Sequence, residues 1–303
     1  MKVLNAKDIY NKYSKPSDFI EEDERYWGVI EQIVNDIKKN CEEKPILLLS
    51  GPSGSGKTTT AQRMESMLDS RGVQTHTISL DCYFTTLSPE EVKKADLESP
   101  ERLDKALLEE HIYSLLNHKE IELPEFDFAN TRQIKSGVKL CRKPNELIIF
   151  EGIHALNPDA VSVSQGTAKM YISVRTRVGY GDGKILHPKY IRLLRRISRD
   201  MRFRGRNPET TISFFKSVER GVDKYVSPYK IYADYSIDTF IGYEPIIYKD
   251  ELLSSLIEAR DRVAQEDIKT LELLIDFLES IDGREEDLVP RDSLIREFLG
   301  AKK

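Results

Sequence analysis

The feature that most constrains this chain is a glycine-rich motif, GPSGSGKT at residues 51–58, which directly follows an apolar run at residues 45–50. In the pattern G-x-x-x-x-G-K-[ST], backbone N–H groups wrap a polyphosphate, Lys57 reaches its terminal phosphates, and the Thr58 hydroxyl can ligate Mg²⁺. A helical apolar pattern at residues 61–67 follows, so the motif has the strand–loop–helix setting that it needs. A nucleoside triphosphate is therefore the expected ligand. The residues predicted to bind it are Gly51, Ser53, Gly54, Ser55, Gly56, Lys57, Thr58 and Thr59.

Composition narrows the class of protein further. The chain has 303 residues, of which 39% are hydrophobic, and a formal net charge of -5, so it can bury a full core. No stretch approaches the roughly 20 apolar residues of a membrane span, and the N-terminus lacks the apolar region of a signal peptide. We therefore expect a cytoplasmic protein with no membrane partner. The acidic balance argues against a nucleic-acid partner, and three cysteines without C-x-x-C spacing predict neither disulfides nor a zinc site.

Apolar runs and helical patterns alternate along the middle of the chain. This alternation predicts an α/β fold with a mostly parallel five-stranded sheet flanked by helices. The predicted strands are residues 46–50, 74–80, 146–150, 170–174 and 235–240. In such sheets the ligand sits at the carboxyl ends of the strands, so functional side chains should follow the apolar runs directly.

The two ends of the chain are charge-rich with helical apolar spacing. We expect residues 1–44 to form an accessory segment built on one amphipathic helix, and residues 251–303 to form a helical C-terminal extension. Residues 45–250 would then form the nucleotide-binding domain between them.

Two acidic residues follow predicted strands. Asp81 comes after the second strand, where a carboxylate can accept the proton of a hydroxyl that attacks phosphorus and can align its oxygen. The alternative is that Asp81 only caps the turn that follows. Glu151 comes after the third strand, in a position to hold Mg²⁺ through a water, with an ordinary end-of-strand carboxylate as the alternative.

An arginine-rich helix is predicted near residue 200. All of its arginines except Arg204 fall within about a 120° arc, opposite the apolar positions, and Asp200 is the only acid among them. Unpaired like charges at this spacing repel, so we expect a polyphosphate to neutralise them, with a solvated face or a nucleic-acid patch as alternatives. The arginines are Arg192, Arg195, Arg196, Arg199, Arg202, Arg204 and Arg206.

Together these segments resemble the uridine kinase and phosphoribulokinase family of P-loop kinases over most of residues 45–245. The order and spacing of the motifs carry the resemblance, which is strongest to bacterial uridine kinase-like nucleoside kinases. The motifs are GPSGSGKTT at 51–59, DCYF at 81–84, ESP at 98–100, PEFDF at 124–128, FEGI at 150–153, RRISRD at 195–200, RGR at 204–206, YAD at 232–234, EGIHALN at 151–157 and VPRDSLIREFLG at 289–300.

The resemblance implies a P-loop NTPase fold of the nucleoside kinase type, with ATP as donor and Mg²⁺ as cofactor. It implies that Thr58 and Glu151 surround the metal and that an arginine-rich lid at about 177–210 closes on the phosphates. Arg204 and Arg206 would face the acceptor, and Glu98 stands where uridine kinases place an Asp that holds the ribose hydroxyls. The implied catalytic residues are Asp81 as base, Lys57, Arg196 and Arg199.

The predicted acceptor pocket departs from the family pattern. Uridine kinases have Tyr, Tyr, His and Gln where this chain has Phe84, Phe126, Thr131 and Phe214. Since discrimination of a base depends on such polar groups, we expect uridine and cytidine to be poor acceptors and another ribosyl compound to be preferred. The alternative is that the alignment is off by a residue or two and that other side chains substitute.

The sequence therefore predicts an ATP- and Mg²⁺-dependent kinase that phosphorylates a hydroxyl of a nucleoside or a related ribose-like molecule. A phosphoribulokinase-like sugar or sugar-phosphate kinase is one alternative, which would need further acceptor-side arginines. A non-catalytic nucleotide-binding regulator is another, against which Asp81 argues, because a switch needs no base beside an acceptor pocket. The acceptor, the choice between ATP and GTP, and the oligomeric state, including a homo-oligomer, stay open.

Overall fold

The computed structural model describes residues 2–92, 94–163 and 165–301. Its helices are α1 (Ala6–Lys12), α2 (Pro16–Asn40), α3 (Lys57–Asp69), α4 (Pro89–Val92), α5 (Lys105–Leu116), α6 (Pro188–Phe203), α7 (Pro208–Gly221), α8 (Glu244–Glu258), α9 (Ile268–Glu279) and α10 (Arg296–Leu299). Its strands are β1 (Val3–Asn5), β2 (Ile46–Ser50), β3 (Thr75–Ser79), β4 (Ile121–Asp127), β5 (Arg132–Leu140), β6 (Leu147–Glu151), β7 (Thr167–Ser173), β8 (Arg177–Tyr180), β9 (Lys184–Leu186) and β10 (Tyr235–Asp238).

The central sheet has the strand order β10-β7-β2-β6-β3, and every neighbouring pair in it is parallel. The predicted five-stranded α/β sheet is thereby confirmed. Strands β2 and β6 are buried along their whole length, since helices cover both faces, and for this reason their sequences are continuously apolar rather than alternating. The glycine-rich motif leaves the carboxyl end of β2, the middle strand.

Two small sheets that the sequence did not predict flank this core. Strands β4 and β5 form an antiparallel hairpin, and β8 pairs in parallel with β1 and antiparallel with β9. The second sheet joins the first residues of the chain to the region just before α6. Its strands have three or four residues each, too short to leave a periodic pattern in the sequence.

The N-terminal segment contains a short strand and two helices rather than the single helix expected. Helix α2 begins at Pro16, and the Asp18 carboxylate accepts the backbone N–H of Lys15 at 2.9 Å, which caps the helix. Its side chains Phe19, Trp27 and Ile30 belong to the same hydrophobic core as β2. This segment packs against α3 and shares the core of the central sheet.

The C-terminal region continues the same helical layer. Helix α8 runs across residue 250, where the sequence placed a domain boundary. The division of the chain into three parts stays a prediction. After α9 the chain returns toward α3 and α6, where Leu294 and Phe298 are fully buried. Over the part of the chain that the structure describes, no helix combines the length and apolar character needed to cross a bilayer.

Candidate active site

A cavity of about 630 Å³ lies at the carboxyl edge of the central sheet. It is lined by Ser53, Gly54, Gly56, Lys57, Thr58, Asp81, Phe84, Leu97, Glu98, Phe128, Glu151, Gly152, Ile153, Arg196, Arg199, Arg204, Arg206 and Glu297. Most of the predicted site residues therefore come together in one place. Those that do not line it are Gly51, Ser55, Thr59, Phe126, Thr131 and Phe214.

The glycine-rich loop has backbone conformations that favour glycine. Gly54 and Gly56 have φ of 77° and 85°, in the left-handed region. Gly51 passes so close to β7 that a Cβ there would lie 2.1 Å from the Ile172 carbonyl oxygen. The loop ends at the N-terminus of α3, where N–H groups without a partner inside the helix and the helix dipole favour an anion.

Two arginines of α6 donate hydrogen bonds to carbonyl groups of the loop. The Arg192 guanidinium donates to the Ser53 carbonyl at 3.1 Å, and that of Arg195 donates to the Gly54 carbonyl at 3.1 Å. By fixing these carbonyl groups on the side away from the cavity, the arginines help to orient the loop. From their charge, the sequence predicted that Arg192 and Arg195 bind a polyphosphate. In the structure they bind the carbonyl groups of the loop and do not line the cavity.

Thr58 and Glu151 lie side by side beneath the loop. The Thr58 hydroxyl donates to Glu151 Oε1 at 3.2 Å, and Glu151 is only 5% exposed. Burial raises the pKa of Glu151, while Lys57 acts in the opposite direction. In the described ranges, no group of three or more His, Cys, Asp and Glu side chains could hold a metal alone. A hydroxyl and a carboxylate nevertheless fit Mg²⁺, which keeps several waters and phosphate oxygens as further ligands.

Asp81 lies in a one-turn 3-10 helix directly after β3, and its backbone N–H donates to the Ser79 hydroxyl at 3.3 Å. Its side chain is exposed and lines the cavity. The surrounding walls limit its hydration and raise its pKa, although Lys57, Arg204 and Arg199 each favour the charged form. A raised carboxylate pKa beside several cations suits a group that takes up a proton.

Arg196 is a buried cation that faces the cavity with incomplete hydrogen bonding. Its side chain is 8% exposed, and its Nε and Nη1 have no hydrogen-bond partner within the described residues. Burial, followed by repulsion from Arg199, lowers the pKa of Arg196 to about 10, so it stays charged at neutral pH. A buried cation in this state needs an anion, and a phosphate would supply one.

Arg204 and Arg206 follow α6 and share one buried acid. Arg204 lies 3.2 Å from Asp200 Oδ1, and Arg206 lies 3.8 Å from Asp200 Oδ2. Both arginines are about half exposed, whereas Asp200 is 1% exposed. Asp200 thus partly neutralises the cations at this end of the cavity.

The expectation that the arginine face is unpaired is wrong for most of its members. Arg199 and Arg206 lie 3.6 and 3.8 Å from Asp200, and three further arginines pair with carboxylates more distant in sequence. Arg192 binds Glu219 at 2.8 Å, Arg195 binds Glu244 at 2.7 Å, and Arg202 binds Glu251 and Glu286. The carboxylates come from other elements, which the helical arc could not reveal. These pairs hold α6 in the core. That the region at about 177–210 acts as a mobile lid stays a prediction.

The side of the cavity where the sequence predicts the acceptor is aromatic. Phe84 and Phe128 line it, and Phe126 stands behind them with its ring 5.7 Å from that of Phe84 and 5.0 Å from that of Phe128. Thr131 lies at the tip of the β4–β5 hairpin with a φ of 51°, and Phe214 is a half-exposed residue of α7. The structure does not bring Thr131 or Phe214 to the cavity.

Glu98 lies at the cavity beside the end of α7. A Cβ on Gly221 would come within 2.4 Å of the Glu98 Cβ, so glycine is required for this approach. Burial raises the pKa of Glu98, and Arg196 opposes that shift. A carboxylate in this position can accept hydrogen bonds from vicinal hydroxyls.

Sequence reasoning missed two residues of the cavity that matter. Phe128 belongs to the quoted motif at 124–128 but was not singled out within it. Glu297 comes from the C-terminal segment, and its carboxylate accepts the Thr59 hydroxyl at 2.7 Å. The motif at 289–300 was part of the family resemblance, but it did not indicate that this segment contacts the first turn of α3.

A comparison with known families decides the identity. The profile of the phosphoribulokinase and uridine kinase family matches residues 46–241. The chain belongs to this family. The matched residues span the central sheet and almost the whole cavity, so the chain is a kinase-family phosphotransferase with a P-loop fold.

Individual relatives agree with this assignment. The chain is 30% identical over 197 residues to a uridine kinase of Lactobacillus helveticus (strain DPC 4571), covering 63% of this chain and 85% of that one. It is 31% identical over 193 residues to a uridine kinase of Staphylococcus aureus (strain JH9), covering 62% and 84%. A crystal structure named as that of a candidate fructose transport system kinase from Silicibacter sp. TM1040 matches at a TM-score of 0.52 and 15% identity, covering 69% and 98%. That likeness shows the shared fold.

Proposed function

We propose that this protein is an ATP- and Mg²⁺-dependent kinase that phosphorylates a hydroxyl of a nucleoside or a related ribose-like small molecule. The observation that carries the proposal is the cavity, where the phosphate loop, Asp81, the arginines and Glu98 meet. A loop for polyphosphate alone would suit a switch. A carboxylate such as Asp81 that shares one cavity with both the loop and the aromatic side chains suits transfer to an acceptor.

Each side chain has a role in the proposed reaction. Lys57 and Arg196 stabilise the charge on the phosphates, with Arg199 beside them, and Asp81 accepts the proton of the acceptor hydroxyl. Thr58 and Glu151 would hold Mg²⁺, which neutralises phosphate charge and orients the donor when bound.

The acceptor side favours a flat ring on a ribose. Glu98 can hold vicinal hydroxyls, while Phe84 and Phe128 can stack a ring but offer its edge no hydrogen bonds. We therefore propose that uridine and cytidine are poor acceptors despite the uridine kinases among the relatives, and that another ribosyl compound, for example a purine nucleoside, is preferred. A cytoplasmic location and a homo-oligomer remain predictions.

Release of ADP, measured with ATP, Mg²⁺ and a panel of nucleosides, sugars and sugar phosphates, tests this function. We expect ADP release to depend on the acceptor, and Asp81→Asn to lower kcat by roughly 10² with nearly unchanged ATP affinity. Acceptor-independent ADP release would favour a nucleotide-dependent regulator. Uridine or cytidine as the best acceptor by tenfold, about 1.4 kcal/mol, would overturn the proposed acceptor side.

A further inference from the structure

The C-terminal segment, residues 289–300, reaches the phosphate loop from outside the matched family region. Leu294 packs on Gly56 so closely that a Cβ on this glycine would lie 2.7 Å from Leu294 Cδ1. One turn later, Glu297 Oε2 accepts the Thr59 hydroxyl at 2.7 Å and the Thr59 backbone N–H at 3.4 Å. A carboxylate of the chain itself thus takes both donors of Thr59.

These donors belong to the set that a nucleotide needs. Thr59 lies in the first turn of α3, where backbone N–H groups have no partner within the helix. In phosphate loops, the backbone N–H groups of the glycine-rich loop cradle the α- and β-phosphates, and Thr59 is the residue directly after this motif. A carboxylate at a helix N-terminus is stabilised by the same dipole and donors as a phosphate. Glu297 therefore imitates a phosphate at the nucleotide site.

We propose that Glu297 is a built-in competitor of the nucleotide, which must displace its side chain from Thr59 to bind. Two anions cannot share the N–H and the hydroxyl of Thr59, and their charges repel at this distance. If the phosphate loop is the donor site of the proposed function, Glu297 lowers the affinity of the protein for ATP and ADP. The segment at 289–300 then sets how tightly nucleotide is held.

Glu297 should weaken nucleotide binding rather than block it, because the backbone of residues 289–300 is anchored and a side chain alone has to move. The Ser293 hydroxyl donates to Asp23 Oδ1 at 3.1 Å, and the Trp27 indole N–H donates to the Asp292 carbonyl at 3.2 Å. Arg296 donates to the Val289 carbonyl at 2.7 Å. The segment is thus tied to α2 and to itself, and the Glu297 side chain, which lines the open cavity, can leave Thr59 by a change of rotamer without moving this backbone.

Calorimetric titration of ATP and ADP with Mg²⁺ into the full chain tests the proposal. We expect Glu297→Gln, which keeps the shape but removes the charge, to tighten nucleotide binding about three- to tenfold. Glu297→Ala, which also removes the hydrogen bonds, should tighten it at least as much. Asp292→Asn is the matched control, because it neutralises a carboxylate of the same segment that pairs with Arg63 outside the cavity. Its nucleotide affinity should stay within about twofold of the wild type.

Unchanged or weaker nucleotide binding in Glu297→Gln overturns the proposal, and weaker binding would mean that Glu297 contacts the nucleotide instead. A second measurement needs no nucleotide: the same variant should melt about 1–3 °C lower, because the attraction between the Glu297 charge and the N-terminus of α3 is lost. If the wild type binds neither ATP nor ADP, the proposed function fails. If, in that case, both Glu297 variants bind ATP or ADP, the result would still support Glu297 as a competitor of the nucleotide. If neither variant binds them, the competitor proposal fails together with the proposed function.

Discussion

Two groups of arginines lie within 15 residues of one another and differ in how fully their charges are balanced by carboxylates. The inner group, Arg192 and Arg195 on α6, is bound to carboxylates and to carbonyls of the phosphate loop. In the cavity group, Arg196 has guanidinium nitrogens without a hydrogen-bond partner among the described residues, and Arg199 lies next to it. Residue type and helical position are shared, so the carboxylates that other elements supply decide the role.

The contrast is sharpest between Arg195 and Arg196, which are adjacent in sequence. Arg195 is 0% exposed, and burial alone would lower its pKa, but the contact with Glu244 raises it overall. Arg196 has no such partner in the part of the chain that the structure describes, and its pKa falls to about 10. One guanidinium is thus neutralised by the protein, while its neighbour is left for a ligand to neutralise.

The largest expected effect is the loss of stability in Arg195→Ala. This change leaves Glu244 as a buried, uncompensated carboxylate, so the free energy of unfolding should fall by about 3–5 kcal/mol in urea denaturation. The double variant Arg195→Met with Glu244→Leu removes both charges and should recover most of that loss. A single variant that loses under about 1 kcal/mol would mean that the pair does not support the fold.

Arg196→Ala should have the opposite profile, with a large loss of activity and little loss of stability. In the proposed reaction Arg196 supplies charge to the phosphates in the transition state, so we expect kcat to fall roughly 10²- to 10³-fold, with a smaller change in acceptor KM. Arg202→Ala is the control on the same helix, since Arg202 binds Glu251 and Glu286 away from the cavity. Equal kinetic losses in Arg196→Ala and Arg202→Ala would erase the distinction between the two groups.

The sequence predicted those parts of the molecule that local patterns specify. Strand β2 was predicted with its observed bounds because its residues are continuously apolar and a phosphate loop follows it. The arginine pairs were not predicted, because Glu219 and Glu244 lie 27 and 49 residues from their partners. Helical periodicity describes one face of α6 but gives no information about what packs on it.

The same limit applies to the candidate site. Asp81 lies just after β3 and Glu151 is the last residue of β6, so the rule that ligands bind at the carboxyl edge of a parallel sheet located them. Thr131 and Phe214 were assigned by resemblance alone, and the hairpin and α7 carry them elsewhere. Glu297 lies 238 residues beyond Thr59, a contact that only the tertiary fold creates.

The smallest expected effect concerns Arg206, which lies between the two groups in character. It is about half exposed and 3.8 Å from Asp200, so solvent and this carboxylate screen most of its charge. For an uncharged nucleoside acceptor, we expect Arg206→Ala to raise the acceptor KM about two- to fivefold with kcat within about twofold. Arg262→Ala, at a half-exposed arginine paired with Glu209 outside the cavity, should change neither value. A loss of roughly 10² or more in kcat/KM would show that Arg206 binds a phosphate of the acceptor, and the sugar-phosphate kinase would then replace the nucleoside kinase as the better assignment.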